Sequence, residues 1–254
     1  MKATRPAGEV IRNVHGSTVE VLGHAVVSGH YAVGQSLPPE PLLCVELGVS
    51  RTILREAVKS LVAKGLISTG PKVGTRVLPA EHWNWFDPDV IAWQARVGFA
   101  PDFLHDLQDL RRAVEPAAVR LAAQRATAED VVEMEAAFAA MVKAVDEGGD
   151  YVSADLRFHQ GLLRAGHNRM LLQMGKALAA LLRVSFEMSI ANRNSRKLSL
   201  PLHRAILDAV IAKQPLKAER AVLRLIDGAQ NDIDQVLARR TQPKGTRAAR
   251  PAAP

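Results

Sequence analysis

The chain has 254 residues, 48% apolar and 23% charged, a globular composition long enough for one large domain or two ordinary ones. Its formal charge is +7, which points to a polyanionic partner such as nucleic acid or a membrane surface and says nothing of fold. One cysteine, Cys44, excludes an internal disulfide framework or a CxxC metal site. No apolar run approaches the ~18 residues of a membrane span, and MKATRPAGEV lacks the apolar stretch of a signal peptide, so a cytoplasmic protein with no membrane partner is expected.

The charge is unevenly spread. Residues 1–78 carry a net +4, residues 79–236 a net −2, and residues 237–254 a net +5. The first 16 residues read as a flexible lead. From Thr18 to Val27 apolar residues recur at helical intervals, with Ser17 placed to cap them. A second short helical pattern runs from Glu40 to Leu47 and closes at Gly48. Ser50 then caps a third helix, in which Ile53, Leu54, Ala57, Val58, Leu61 and Val62 share one side. Ile67–Thr69 and Thr75–Leu78 read as two strands joined by the turn Gly70-Pro71-Lys72-Val73-Gly74.

Helix, short helix, glycine turn, helix and hairpin is the order of a winged helix-turn-helix, assigned to residues 17–78. Arg51, Thr52 and Arg55 lie opposite the apolar side near the start of the third helix. Two guanidiniums one turn apart at a helix N-terminus suit base edges and phosphates in a major groove. Residues 79–99 hold all three tryptophans and read as a linker whose aromatics dock the reader onto the second domain or onto a partner chain.

Residues 100–238 are helical in pattern throughout, an all-α bundle, and the fold class is mainly α. Within it Asp155 and His159 stand at i and i+4, one above the other on a helix. That is a usable metal-ligand spacing, and equally an ordinary pair of hydrogen-bonded groups. His203 opens a later helix, Arg111 lies on the first long one, and Arg183 is a further candidate for an internal cavity. Residues 239–254, rich in Pro, Ala and Arg, read as a disordered basic tail.

Leu37-Pro38-Pro39-Glu40, Leu47-Gly48-Val49-Ser50-Arg51-Thr52, Leu54-Arg55-Glu56-Ala57, Gly65-Leu66-Ile67 and Val73-Gly74-Thr75 resemble the signature of the GntR family of bacterial transcription regulators. That resemblance implies recognition-helix contacts from Ser50, Arg51, Thr52 and Arg55, and wing contacts from Lys72 and Gly74. Pro41 stands where many FadR-type members have a basic residue. LRRAVEP, DLRFHQGLLRAGHN and LPLHRAILDAV resemble the effector-binding FCD domain of the FadR-type subfamily. The segment WNWFDPDVIAW resembles the linker of its members that govern D-galactonate catabolism.

By this likeness the chain is a homodimeric repressor, not an enzyme, binding double-stranded operator DNA and a small organic acid, with a sugar acid favoured. The family commonly holds a metal on one Asp and three His. Asp155, His159 and His203 match three of those ligands and Arg111 matches the effector-binding arginine, while Leu225 stands where the third histidine is expected. Zinc on three ligands, or a metal-free site in which the histidines bond the acid directly, are both open. A metal-dependent hydrolase built on Asp155, His159 and His203 is the alternative, although no HExxH, GxSxG, Walker or dinucleotide glycine pattern accompanies them.

Overall fold

A computed structural model describes residues 7–71, 73–190 and 193–241. It divides into two compact units, Met1–Phe99 and Ala100–Pro254.

The first unit is built on α1 (Ala7–Val27), α2 (Glu40–Leu47), α3 (Arg51–Ala63), a hairpin of β1 (Ile67–Gly70) and β2 (Gly74–Val77), and α4 (Pro88–Val97). The helix α1 begins at Ala7, within the lead expected to be flexible, whose residues 1–6 lie outside the described residues, and Ser17 lies inside the helix and not at its cap. Val19, Leu22 and Val26 of α1 are buried in one cluster with Leu54, Ala57 and Leu61 of α3. These are residues spaced three and four apart, each set a single stripe on its helix.

Left-handed backbone at Gly48 (φ 64°) ends α2. At Gly65 (φ 73°) a side chain is impossible, since a Cβ would lie 2.1 Å from the carbonyl oxygen of His82. The two strands are antiparallel, pairing Ile67 with Val77 and Gly70 with Gly74.

The tryptophan segment is integral to this unit. Trp93, 1% exposed, packs in its core. Its indole N–H donates to Glu20 Oε2 at 2.7 Å, and its ring fills the space that a Cβ on Gly23 would occupy, 2.3 Å from the nearest ring atom. Trp83 and Trp85 donate to the carbonyls of Leu78 and Ala80, both at 3.0 Å. Lys64, at the end of α3, pairs with Asp87 at 2.8 Å and Asp89 at 2.7 Å, while Asp87 also caps α4. The three tryptophans therefore pack on the reader's own unit, Trp93 within its core and Trp83 and Trp85 against it.

The second unit is all-helical among the described residues: α5 (Pro101–Arg125), α6 (Ala128–Asp146), α7 (Tyr151–Ala165), α8 (Arg169–Ser189), α9 (Arg193–Ile211) and α10 (Pro215–Thr241). Met134, Met141, Phe158, Ile206, Val210, Val222 and Ile226 lie in its core. Thr127 and Asp130 form a reciprocal capping box at the start of α6. The helix α9 starts at Arg193 and continues through Pro201, so His203, expected to open a helix, lies well inside it. Ser195 and His203, on either side of the proline, are both buried.

Candidate functional site

Two regions collect the polar groups that the sequence singled out. On the first unit, Ser50 caps α3 by accepting the N–H of Ile53 at 3.4 Å, so its hydroxyl is engaged in starting the helix. Arg51, Thr52 and Arg55 are exposed on the face opposite Leu54, Ala57 and Leu61. Arg55 Nε donates to Glu40 Oε2 at 2.9 Å, which holds the base of its guanidinium against α2. Gly74 (φ 71°) opens β2 with nothing within 4 Å of a Cβ position, so backbone can be approached closely there. Lys72 lies outside the described residues.

In the second unit, Asp155 and His159 fall on the buried stripe of α7, in step with Leu162. His203 reaches them from α9. Both imidazoles turn Nε2 toward the same carboxylate oxygen, Asp155 Oδ1, at 3.3 Å from His159 and 3.1 Å from His203. Their Nδ1 atoms point to the far side, His203 hydrogen-bonded there and His159 in ion-pair contact. His203 Nδ1 lies 2.9 Å from the Ser199 carbonyl oxygen, and His159 Nδ1 lies 3.1 Å from Glu115 Oε2. The other oxygen of Glu115 accepts from Arg111 Nε at 2.6 Å. Arg111 Nη1 donates to Ser185 Oγ at 3.1 Å, and Gln108 Nε2 donates to the same hydroxyl at 2.7 Å. The guanidinium carbon of Arg111 stands 5.0 Å from the centre of the Phe186 ring.

The cluster is electrostatically tight. Burial opposes charge on Asp155, but the His203 and His159 imidazoles hold its carboxyl well below the usual range. Burial likewise opposes ionisation of Glu115, yet Arg111 and His159 bring it down to about 2. Against its own burial, His159 is pushed up to about 9 by Glu115 and Asp155.

This cluster fits a metal ion on its geometry. The ligand atoms of Asp155, His159 and His203 lie within 4.8 Å of one another. His159 Nε2 is buried without a hydrogen-bond partner, close to Asp155 but misaligned with it. Holding each histidine by its other ring nitrogen, on a carboxylate and a backbone carbonyl, is the outer-shell arrangement of metal-ligating imidazoles.

A cavity of about 220 Å³ opens on the cluster. Arg111, Asp155, His159 and His203 line it, as does Leu225, the residue at the expected third-histidine position. Arg183 is a correction: its side chain is 45% exposed, bonded to Ser153 at 3.2 Å and paired with Glu187, and it does not reach the cavity. The inward stripe of α8 runs through Leu178, Leu181, Leu182, Ser185, Phe186 and Ser189, and residue 183 falls off it.

Glu115, Ser185 and Gln108 were not anticipated. For Glu115 a signal existed, the i, i+4 spacing from Arg111. For Ser185, 74 residues from Arg111, the sequence carries none. His167 (φ 45°) ends α7 and lies 2.7 Å from Asp130, a turn role away from the cavity.

A winged reader joined to a helical unit with a buried polar cavity defines a DNA-binding regulator governed by a small molecule. The model for bacterial regulatory proteins of the gntR family matches residues 16–77, and that for the FCD domain matches residues 106–228. The galactonate operon transcriptional repressor of Escherichia coli is 33% identical over 86% of this chain and 96% of its own length. The Glc operon transcriptional activator of the same species is 29% identical over 91% of each chain. The Listeria monocytogenes regulator Lar, at 16% identity, shares the fold with a TM-score of 0.62 over 92% of this chain and 99% of that one. The chain belongs to the GntR family, in its FadR-like subfamily. Regulators of this family bind operator DNA and FCD domains bind small-molecule effectors, which places the Asp155–His159–His203 cluster in a transcription regulator and not in a hydrolase.

Proposed function

We propose that this protein is a cytoplasmic homodimeric repressor of an operon for the catabolism of a small carboxylate, with a sugar acid favoured. The galactonate repressor likeness favours the sugar acid. Ser50, Arg51, Thr52 and Arg55 form the reading edge of α3, with Gly74 and Lys72 at the wing. Two such edges in a dimer read two half-sites. The division follows the sequence: residues 17–78 read DNA, 79–99 connect, 100–238 bind the effector and the second subunit, and 239–254 form a basic tail.

The observation that carries the effector site is the orientation of the two imidazoles, both Nε2 atoms facing Asp155 with both Nδ1 atoms tied back. Asp155, His159 and His203 hold a divalent cation, zinc before others, since two imidazoles and one carboxylate with an open position suit it. When bound, that cation supplies a Lewis-acidic charge for oxygen atoms of the acid. Arg111, set by Glu115 and Ser185, directs its guanidinium to the same acid. Effector binding changes DNA affinity only through its different affinity for the DNA-competent and DNA-incompetent states.

The test is a thermal-shift screen of hexonates, hexuronates and short hydroxy acids, with and without zinc, followed by DNA binding to a site selected from random duplexes. At least one acid is expected to raise Tm and release the DNA. If no acid moves either readout, the proposal fails.

A further inference from the structure

The cavity has a second polar end that neither the family likeness nor the histidine cluster accounts for. Asp232, on α10, lines it together with Asn231, Ser195 and the apolar wall of Leu198, Leu202 and Leu225. Ser195 is buried and bonds the Asp232 carboxylate. The two other serines of the lining are already engaged. Ser189 donates to the Phe186 carbonyl at 3.1 Å, and Ser199 donates to the Arg196 carbonyl at 2.9 Å while meeting Tyr151 Oη at 2.6 Å. A carboxylate accepts about four hydrogen bonds and donates none, so one serine leaves Asp232 with acceptor capacity facing the cavity.

We propose that Asp232, held by Ser195, reads hydroxyl groups of the effector and rejects a second carboxylate, making the protein selective for a hydroxylated monocarboxylate. The proposal rests on the reading of this cavity as a small-acid site and deepens it. The acid's carboxylate belongs at the end formed by His159, His203 and Arg111, where the positive groups are. Its hydroxyls belong at the Asp232 end, where the carboxylate has acceptor capacity to spare and the Asn231 amide lies beside it. The leucines leave room for C–H faces between the two.

Charge supports the same division. Asp155 and Asp232 both face the cavity, and Arg111 is already compensated by Glu115 at 2.6 Å. Burial pushes the Asp232 carboxyl up from its ordinary value, so its charged form gains from hydroxyl donors and loses from a neighbouring anion. A site that hydrogen-bonds substrate hydroxyls also rejects analogues lacking them, because its own polar group is then left unpaired.

Three six-carbon acids separate these effects. D-Galactonate carries one carboxylate and five hydroxyls, galactarate replaces the terminal alcohol by a second carboxylate, and hexanoate has no hydroxyl. Calorimetric titration of the full-length zinc-supplemented protein is expected to rank galactonate at least about tenfold above both others, a difference of one well-made hydrogen bond or more. Asp232→Asn should bind galactarate more tightly and narrow the galactonate-to-galactarate ratio about tenfold. A gain of binding cannot come from a misfolded variant. Ser195→Ala should narrow the same ratio in the same direction and decides the matter if Asp232→Asn does not fold. Equal wild-type affinity for galactonate and galactarate, or a ratio unmoved by the substitutions, overturns the role of Asp232 while leaving the small-acid cavity standing. Binding of none of the three acids removes the six-carbon-acid reading of the cavity and this proposal with it.

Discussion

Glu115 Oε2 stands 3.1 Å from Nδ1 of His159, and the second oxygen of that carboxylate holds Arg111 at 2.6 Å. One buried side chain thus faces both His159, the proposed cation ligand, and Arg111, the proposed anion-binding group. Outer-shell partners of this kind change metal affinity by roughly 10–100-fold when removed. Glu115→Gln is therefore expected to weaken zinc binding by that factor in a chelator competition. It should also lower the Tm, since an orphaned buried arginine costs about 3–5 kcal/mol. A lower Tm with unchanged zinc affinity would show that Glu115 serves stability alone.

Leu225 lines the cavity, at the position where the sequence resemblance implies a third histidine. Leu225→His offers a fourth protein ligand to the cation. Zinc affinity should rise by at least about tenfold, measured with the same chelator competition, because a closed four-ligand site binds the ion more completely than an open one. Affinity for the acid should fall as the open position is taken. A variant that gains no zinc affinity would place the cation elsewhere or nowhere.

The indole of Trp93 occupies the volume of an absent side chain on Gly23. Gly23→Ala must displace a fully buried ring and strain its hydrogen bond to Glu20. Overpacking of this kind costs about 1–3 kcal/mol. Tryptophan fluorescence during urea unfolding should show the first unit melting at lower denaturant, and an unchanged midpoint would mean that α1 and α4 are not packed in this way.

Arg55→Ala should reduce affinity for a selected operator by the roughly 1–3 kcal/mol of a bidentate base contact, while zinc and acid affinities in the second unit stay as they are. Glu40→Gln, which loosens the 2.9 Å bond to Arg55 Nε, should reduce discrimination between operator and random duplex more than it reduces affinity for random duplex. Equal operator binding by Arg55→Ala and the unsubstituted protein would remove α3 from the reading edge.

Acid stability should depend on the cap of α6. Burial works against the Asp130 carboxylate, but the backbone and hydroxyl of Thr127, each at 2.9 Å, and the His167 imidazole hold its pKa below the ordinary aspartate value. A carboxyl depressed in the folded state adds stability above its unfolded pKa, near 3.9, and that stability is lost as pH falls through the lower folded value. Asp130→Asn should therefore cost about 1 kcal/mol at pH 7, the typical worth of such a cap, and the difference should shrink below about pH 3.9. Urea titrations at neutral and acid pH measure both, and a difference independent of pH would contradict the assignment.

Local rules written along the chain determine much of this protein. Apolar residues three and four apart place α1 and α3, the Ser50 and Thr127 caps start their helices, and Gly48 and Gly65 stop others, because these signals act within one or two turns of backbone. The same range made Asp155 and His159 legible as a pair, four residues apart on one helix. Tertiary structure alone decided the rest. Trp93 finds Gly23 seventy residues away, Ser185 finds Arg111, and Asp232 meets Ser195, through packing that has no sequence period. Arg183 shows the converse: the helical pattern is plain in the sequence, but one step of about 100° around the axis carries a side chain from the cavity to solvent. Which face turns inward is set by the neighbours that bury it, and those are chosen only when the bundle closes.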